Sequence, residues 1–161
     1  MSGRDVVDTI QTAWAERFPE LDTEPVAVVG RILRAARFLQ EAADERLAGA
    51  GLTRTEFDVL SQLRRSDGPL RPGELTAGVV GSPAATTKRL HKLLDAGLVR
   101  RAADPQDGRA ARVSLTPAGE RLVDELLPRQ LEADAALLEV LSPDQRRSLA
   151  ALLRTALLRW E

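Results

Sequence analysis

Cysteine is absent from the 161 residues, which excludes disulfides, thiolate metal sites and a thiol nucleophile. Histidine occurs once, at His91, too few for a histidine-based metal site or a Ser-His-Asp triad. No apolar run approaches the roughly 18 residues that a membrane span needs, and the N-terminus has no basic segment followed by a hydrophobic one. The chain is therefore expected in the cytoplasm. Charge imbalance is missing as well: 23 Lys and Arg oppose 24 Asp and Glu, a formal net charge of -1. Affinity for a polyanion has to come from local clustering, because the average offers none. What is present is a 43% hydrophobic composition, enough to bury a core in a single domain.

Apolar residues recur at helical spacing over most of the chain, and strand-like alternation is confined to one place. A first amphipathic helix is predicted over about Arg4 to Arg17, with Val7, Ile10, Trp14 and Phe18 on one stripe, before Pro19 and PELDTEP interrupt it. The next runs from about Pro25 to Ala48 and stops at the glycines of GAG at 49–51. Thr53 and Glu56 form a capping-box pattern for a helix that buries Phe57, Leu60 and Leu63 and ends at SDGP. A short helix over Pro72 to Val79 follows. Ser82 then caps a helix with Pro83 in its first position, ending near Ala96 with Gly97 as the C-terminal glycine. Leu98 to Ala102 and Ala111 to Leu115 read as a hairpin joined by DPQDGR. Thr116-Pro117 starts a leucine-rich helix that Pro128 should kink or divide, and Ser142-Pro143-Asp144-Gln145 starts the last.

Short helix, turn, helix and hairpin, in that order, make a winged helix-turn-helix, whose second helix can enter a DNA major groove. The charges agree. From Thr86 to Arg112, Lys88, Arg89, Lys92, Arg100, Arg101, Arg109 and Arg112 face only three aspartates, a local charge of +4 in a nearly neutral protein. Ala84, Ala85, Thr86 and Thr87 are small enough to let the helix approach base edges, with Lys88 and Lys92 flanking the groove. Arg109, in a tight Asp/Gly loop, suits insertion into a minor groove, with Asp104 or Asp107 orienting it. The expected DNA-contacting set is Ser82, Ala84, Thr86, Thr87, Lys88, Arg89, His91, Lys92, Arg109 and Arg112. An exposed His91 would titrate near neutral pH and make DNA affinity mildly pH-dependent.

The stretches GLTRTEFDVLSQL, ELTAGVVGSPAATTKRLHKLLDAGLVRR and DPQDGRAARVSLTPAGERL, with the terminal helix, resemble the MarR family of bacterial transcriptional regulators across nearly the whole chain. DPQDGR carries the most specific part, matching the family's D-x-x-D-x-R loop position by position. The resemblance implies one MarR-type domain, mainly α with a small β-hairpin wing. Its winged module would span about 52–116, and helices at about 4–48 and 117–161 would join two copies. Such a homodimer would bind a pseudo-palindromic operator, usually as a repressor released by a small molecule. The leucine content of the end helices independently favours a partner surface.

A narrower likeness lies in Trp14, PELDTEPVAVVGRILR, EFDVLSQLRR and LLPRQLEADAALLEVLSPDQRRSL, which look like the family's urate-responsive branch. That branch associates ligand response with residues that fall here on Trp14, Asp58, Arg89 and Arg101. Guanidinium groups would pair with a planar anion, the indole would stack on its ring, and Asp58 would compete for the arginine. Two positions depart from the family pattern, His91 where an acid is frequent and Lys88 where Asn is usual, which leaves the operator sequence open. Other ligands, such as phenolic acids or a tricarboxylate, fit the same scaffold, as does a dimeric interaction module without one. An enzyme using Asp58 and an arginine pair would lack a nucleophile, a metal set and a phosphate loop. No cofactor or metal is expected.

Overall fold

The computed structural model describes residues 3–78, 82–104 and 107–160, with the side chains of 107–109 outside that description. Its helices are α1 (Val6–Arg17), α2 (Glu24–Leu47), α3 (Arg54–Arg64), α4 (Pro72–Gly78), α5 (Pro83–Asp95), α6 (Pro117–Leu137) and α7 (Pro143–Trp160). A 3-10 turn at Ala48–Ala50 follows α2, and strands β1 (Val99–Asp104) and β2 (Asp107–Leu115) lie between α5 and α6. The chain divides into two compact units, Met1–Arg54 and Thr55–Glu161. No described helix is long and apolar enough to cross a membrane, and no described group of three His, Cys, Asp or Glu residues could hold a metal ion.

In the first unit, the Asp5 carboxylate accepts the N–H groups of Val7 and Asp8 at 2.8 and 3.0 Å, and Asp8 reciprocates on the Asp5 N–H at 2.8 Å. This capping box starts α1 and satisfies donors that a helix end leaves open. Arg31 of α2 then bridges Asp5 at 2.9 Å and Asp8 at 2.7 Å, tying α1 to α2. Backbone N–H bonds, with the Arg31 guanidinium beside them, hold both carboxyls below their usual range, and Asp8 and Asp5 in turn push Arg31 up. Val7 is buried against this contact, where a Cβ on Gly30 would come within 3.0 Å of its Cγ1, so glycine lets the two helices close. Ala43 and Leu47 near the end of α2 are buried as well, but many of the larger apolar side chains of the two helices stay open. Trp14 is 51% and Leu33 65% exposed, and Trp14 stacks on Phe18 with ring centroids 5.7 Å apart.

The second unit is built around α3, whose Phe57, Val59, Leu60 and Leu63 are all buried. Leu75 of α4, Leu90 and Leu93 of α5, Val99, Val113 and Leu115 of the strands and Val123 of α6 complete its core. The Ser82 hydroxyl accepts the Ala85 N–H at 3.3 Å to cap α5, with Pro83 in the first turn. Gly97, at φ +67°, closes the helix: its N–H reaches Leu94 O at 2.9 Å and the Leu98 N–H reaches Leu93 O at 3.0 Å. These paired bonds use the left-handed conformation that glycine adopts without penalty.

The hairpin is longer than the apolar alternation suggests. Its strands continue to Asp104 and back from Asp107, with an irregularity between Ala103 and Asp104, so most of DPQDGR is strand. A third edge also appears: Leu70 and Val113 exchange backbone hydrogen bonds of 2.9 and 2.8 Å on the far side of β2. Thr116 caps α6 through the Gly119 N–H at 3.2 Å and donates its hydroxyl to Gly97 O at 2.7 Å. Arg64 of α3 grips Asp124 of α6 at 2.8 Å, holding the Asp124 carboxyl below its usual range and raising Arg64.

Pro128 does not divide α6, which runs unbroken from Pro117 to Leu137. A proline inside a helix forfeits one N–H bond, and Pro128 does so on an exposed face. α7 opens with Ser142 and Gln145 capping each other at 2.8 and 3.2 Å. None of its described residues is buried, and Leu152, Leu158 and Trp160 are 71%, 76% and 70% exposed.

Candidate nucleic-acid interface

Helix periodicity sorts the residues of α5 into faces. Thr86, Leu90 and Leu93, at i, i+4 and i+7, are buried and bind the helix to the core. The opposite side carries Ala84, Lys88 and His91, all exposed, with exposed Thr87 beside them. Thr86 therefore departs from the expected DNA-contacting set. It is 1% exposed and its hydroxyl donates to Ser82 O at 3.2 Å, so it packs beneath the helix. Thr87 does lie outward, with its hydroxyl bonded to Pro83 O at 3.0 Å and its methyl group available.

Two members of the expected DNA-contacting set are tied to acids inside the protein. The Lys92 Nζ lies 2.8 Å from Glu56 Oε2 of α3, a carboxylate side chain only 8% exposed. The Arg112 Nε lies 3.0 Å from Asp104 Oδ2, close enough for ionic attraction but without hydrogen-bond alignment, and its Nη1 donates to Pro69 O at 3.1 Å. Asp104, whose side chain is fully buried, also meets Arg71 at 2.8 Å. Arg71, Asp104 and Arg112 thus pin the hairpin to the segment before α4. Of the remaining cations, Arg100 donates to Ser114 Oγ at 3.0 Å, while Arg101 is exposed on the face that its cross-strand partner Val113 shares. The Arg109 side chain lies outside the described residues.

The four residues associated with ligand response fall in both units. Trp14 belongs to the first, where it lines a cleft of about 210 Å³ with Phe18, Leu21, Asp22, Thr23 and Val26. Asp58 on α3, Arg89 on α5 and Arg101 on β1 belong to the second, the first two half-buried and the third exposed.

Sequence inspection misses the Asp104 cluster because Arg71 and Asp104 are 33 positions apart. It misses the second role of Glu56 because a capping-box position already accounts for an acid there. The one signal for Asp104 is an aspartate next to an apolar strand, which needs partners if buried.

A family model described as the MarR family matches residues 50–110. The chain is 30% identical over 151 residues to the HTH-type transcriptional regulator PecS of Dickeya dadantii, covering 92% of this chain and 90% of the other. The chain belongs to the MarR family. It is also 34% identical to the HTH-type transcriptional repressor Rv2887 of Mycobacterium tuberculosis, over 79% of this chain and 91% of that one. Among solved structures, Bordetella bronchiseptica BpsR, studied for regulation of its DNA binding by 6-hydroxynicotinic acid, superposes with a TM-score of 0.73. It is 27% identical over 80% of this chain and 91% of its own. As a MarR-family protein, the molecule is a winged helix-turn-helix, DNA-binding transcriptional regulator and not an enzyme.

Proposed function

We propose that this MarR-family protein acts as a homodimeric repressor that leaves a pseudo-palindromic operator when a small planar anion binds. The observation that carries the proposal is the outward face of α5, where Ala84, Thr87, Lys88 and His91 are exposed and take no part in the core. Small residues near the helix start, followed by a lysine and an imidazole, suit close approach to base edges and phosphates. Arg109, near the start of β2 beside the hairpin turn, would reach the neighbouring minor groove. The exposed apolar side chains of α1, α2 and α7 are more than a solitary copy would leave to water, and a second copy is the economical cover.

The effector proposed is urate or another purine anion, with Arg89 and Arg101 as its guanidinium partners and Trp14 and Asp58 as the further residues that the family likeness associates with the response. A heterocyclic carboxylate is a second reading, favoured by the likeness to BpsR and its 6-hydroxynicotinic acid. Both chemistries need a ring platform and guanidinium donors. The test is a gel shift with the intergenic DNA beside the protein's own gene, titrated with urate, xanthine and 6-hydroxynicotinate. Release by one of these, weakened in Trp14→Ala and Arg89→Gln, supports the proposal. Binding that is insensitive to salt would sink the repressor reading, since phosphate neutralisation releases counterions.

A further inference from the structure

Lys92 sits in the most basic stretch of the chain, yet its ammonium is engaged inside the protein. Its Nζ is 2.8 Å from Glu56 Oε2, and the lysine side chain is 54% exposed against 8% for the glutamate. Glu56 adjoins Phe57 and shares α3 with Leu60 and Leu63, all buried. A carboxylate so withdrawn from water is strongly disfavoured unless it is met by a cation or hydrogen-bond donors, and Lys92 is one cation that meets it. Lys92 stands one turn after Lys88, at the edge of the outward face on the side turned toward Glu56.

The stripe that seats α5 consists of Thr86, Leu90 and Leu93. That apolar stripe decides which face of α5 is buried, but apolar packing is non-directional and holds the exact angle within that face less sharply. A short ion pair from one edge of the helix to a buried acid refines it. We infer that Lys92 is a positioning residue for DNA binding, which fixes the rotation of α5 through Glu56 and neutralises no phosphate. The inference rests on the reading that the outward face of α5 meets the duplex.

Counterion release separates this role from phosphate contact, because each neutralised phosphate contributes about 0.9 to the slope of log affinity against log salt. The full-length protein would be titrated with the intergenic duplex beside its own gene and with a random-sequence duplex, at salt from about 50 to 200 mM. Lys88→Gln is the reference, and its slope should fall by about 0.9. Lys92→Gln should weaken intergenic binding by about tenfold or more at the wild-type slope, while random-sequence binding stays within about twofold. A merely structural loss would weaken both duplexes alike, through the unfolded fraction.

Glu56→Gln decides independently. It should weaken intergenic binding much as Lys92→Gln does, whereas a phosphate-contacting Lys92, freed from its acid, would bind more tightly and with a steeper slope. Lys92→Arg should retain most of the affinity. A slope lowered by about 0.9 in Lys92→Gln, or unchanged or tighter binding in Glu56→Gln, overturns the inference. Should Lys92→Gln fail to fold, Lys92→Arg and Glu56→Gln still distinguish positioning from phosphate contact. If Lys88→Gln leaves the slope unchanged, the failure is of α5 as the duplex-facing helix, and the role of Lys92 falls with it.

Discussion

Replacing Gly119 with alanine tests how tightly the hairpin base and α6 are joined. A Cβ built at Gly119 would lie 2.1 Å from the backbone oxygen of Leu98 and 3.1 Å from Leu115 Cδ2. Carbon and carbonyl oxygen approach no closer than about 3.3 Å even in favourable C–H contacts, so the first turn of α6 would have to retreat by about 1 Å. The obstacle is backbone and cannot rotate aside. The same turn is anchored there by the Thr116 N–H on Leu98 O at 3.0 Å and by the Thr116 hydroxyl on Gly97 O, so retreat strains both bonds. Overpacking of this kind costs about 1–3 kcal/mol, and a lost hydrogen bond about 1 kcal/mol more. Against this stands a helix-propensity gain from alanine of at most about 1 kcal/mol. The net loss of about 1–3 kcal/mol corresponds to a melting temperature lower by about 3–10 °C for a chain of this length. Calorimetry at one fixed protein concentration would read it, since self-association shifts melting. Gly73→Ala is the control, because nothing lies within 4 Å of a Cβ there. A Gly119→Ala protein that melts with the wild type would refute the close approach of α6 to Leu98.

Thr86→Val keeps the shape of a residue that is 1% exposed, and its operator affinity should stay within about twofold of wild type. A tenfold loss with unchanged melting would mean that Thr86 reaches the duplex. Carboxyl titration by NMR should place Asp5 and Asp8 below the usual aspartate value of 3.8. Because the folded state depresses both, the capping box and its Arg31 bridge stabilise fully above about pH 4 and lose that contribution as pH falls through the lowered values. Arg31→Gln should raise both titrations yet leave them below 3.8, since backbone N–H bonds remain; no movement would remove Arg31 from the account.

Much of the fold is legible where local chemistry decides it. Ser82-Pro83, Thr116-Pro117 and Ser142-Pro143 each announce a helix start, and each Ser or Thr caps as its side chain requires. Gly97 ends α5 because a left-handed residue is needed there. Tertiary contacts are harder to foresee. The strand extension through Ala103 and Asp104 has no apolar alternation to mark it, and the Leu70 edge is a single bridge lying next to a turn signal. Pro128 reads as a breaker because propensity has no term for a helix whose remaining turns hold it together.

The candidate interface is legible in its location and less so in its membership, and the reason is one of sign and depth. A cluster of seven cations looks like a surface for phosphate only while its acids are assumed to be solvated. Glu56 and Asp104 are buried, and a buried acid competes for cations more effectively than an exposed one, because the alternative is an unpaired charge in a poorly polarisable medium. Lys92 and Arg112 are drawn inward by that competition, to 2.8 and 3.0 Å. Burial cannot be read from a count of charges. Helical phase recovers part of it: once Leu90 and Leu93 are placed in the core, Thr86 must join them and Lys88 and His91 must face away. The same two acids that subtract cations from the surface fasten α5 and the hairpin to the rest of the module, so the positive stretch serves as both scaffold and contact.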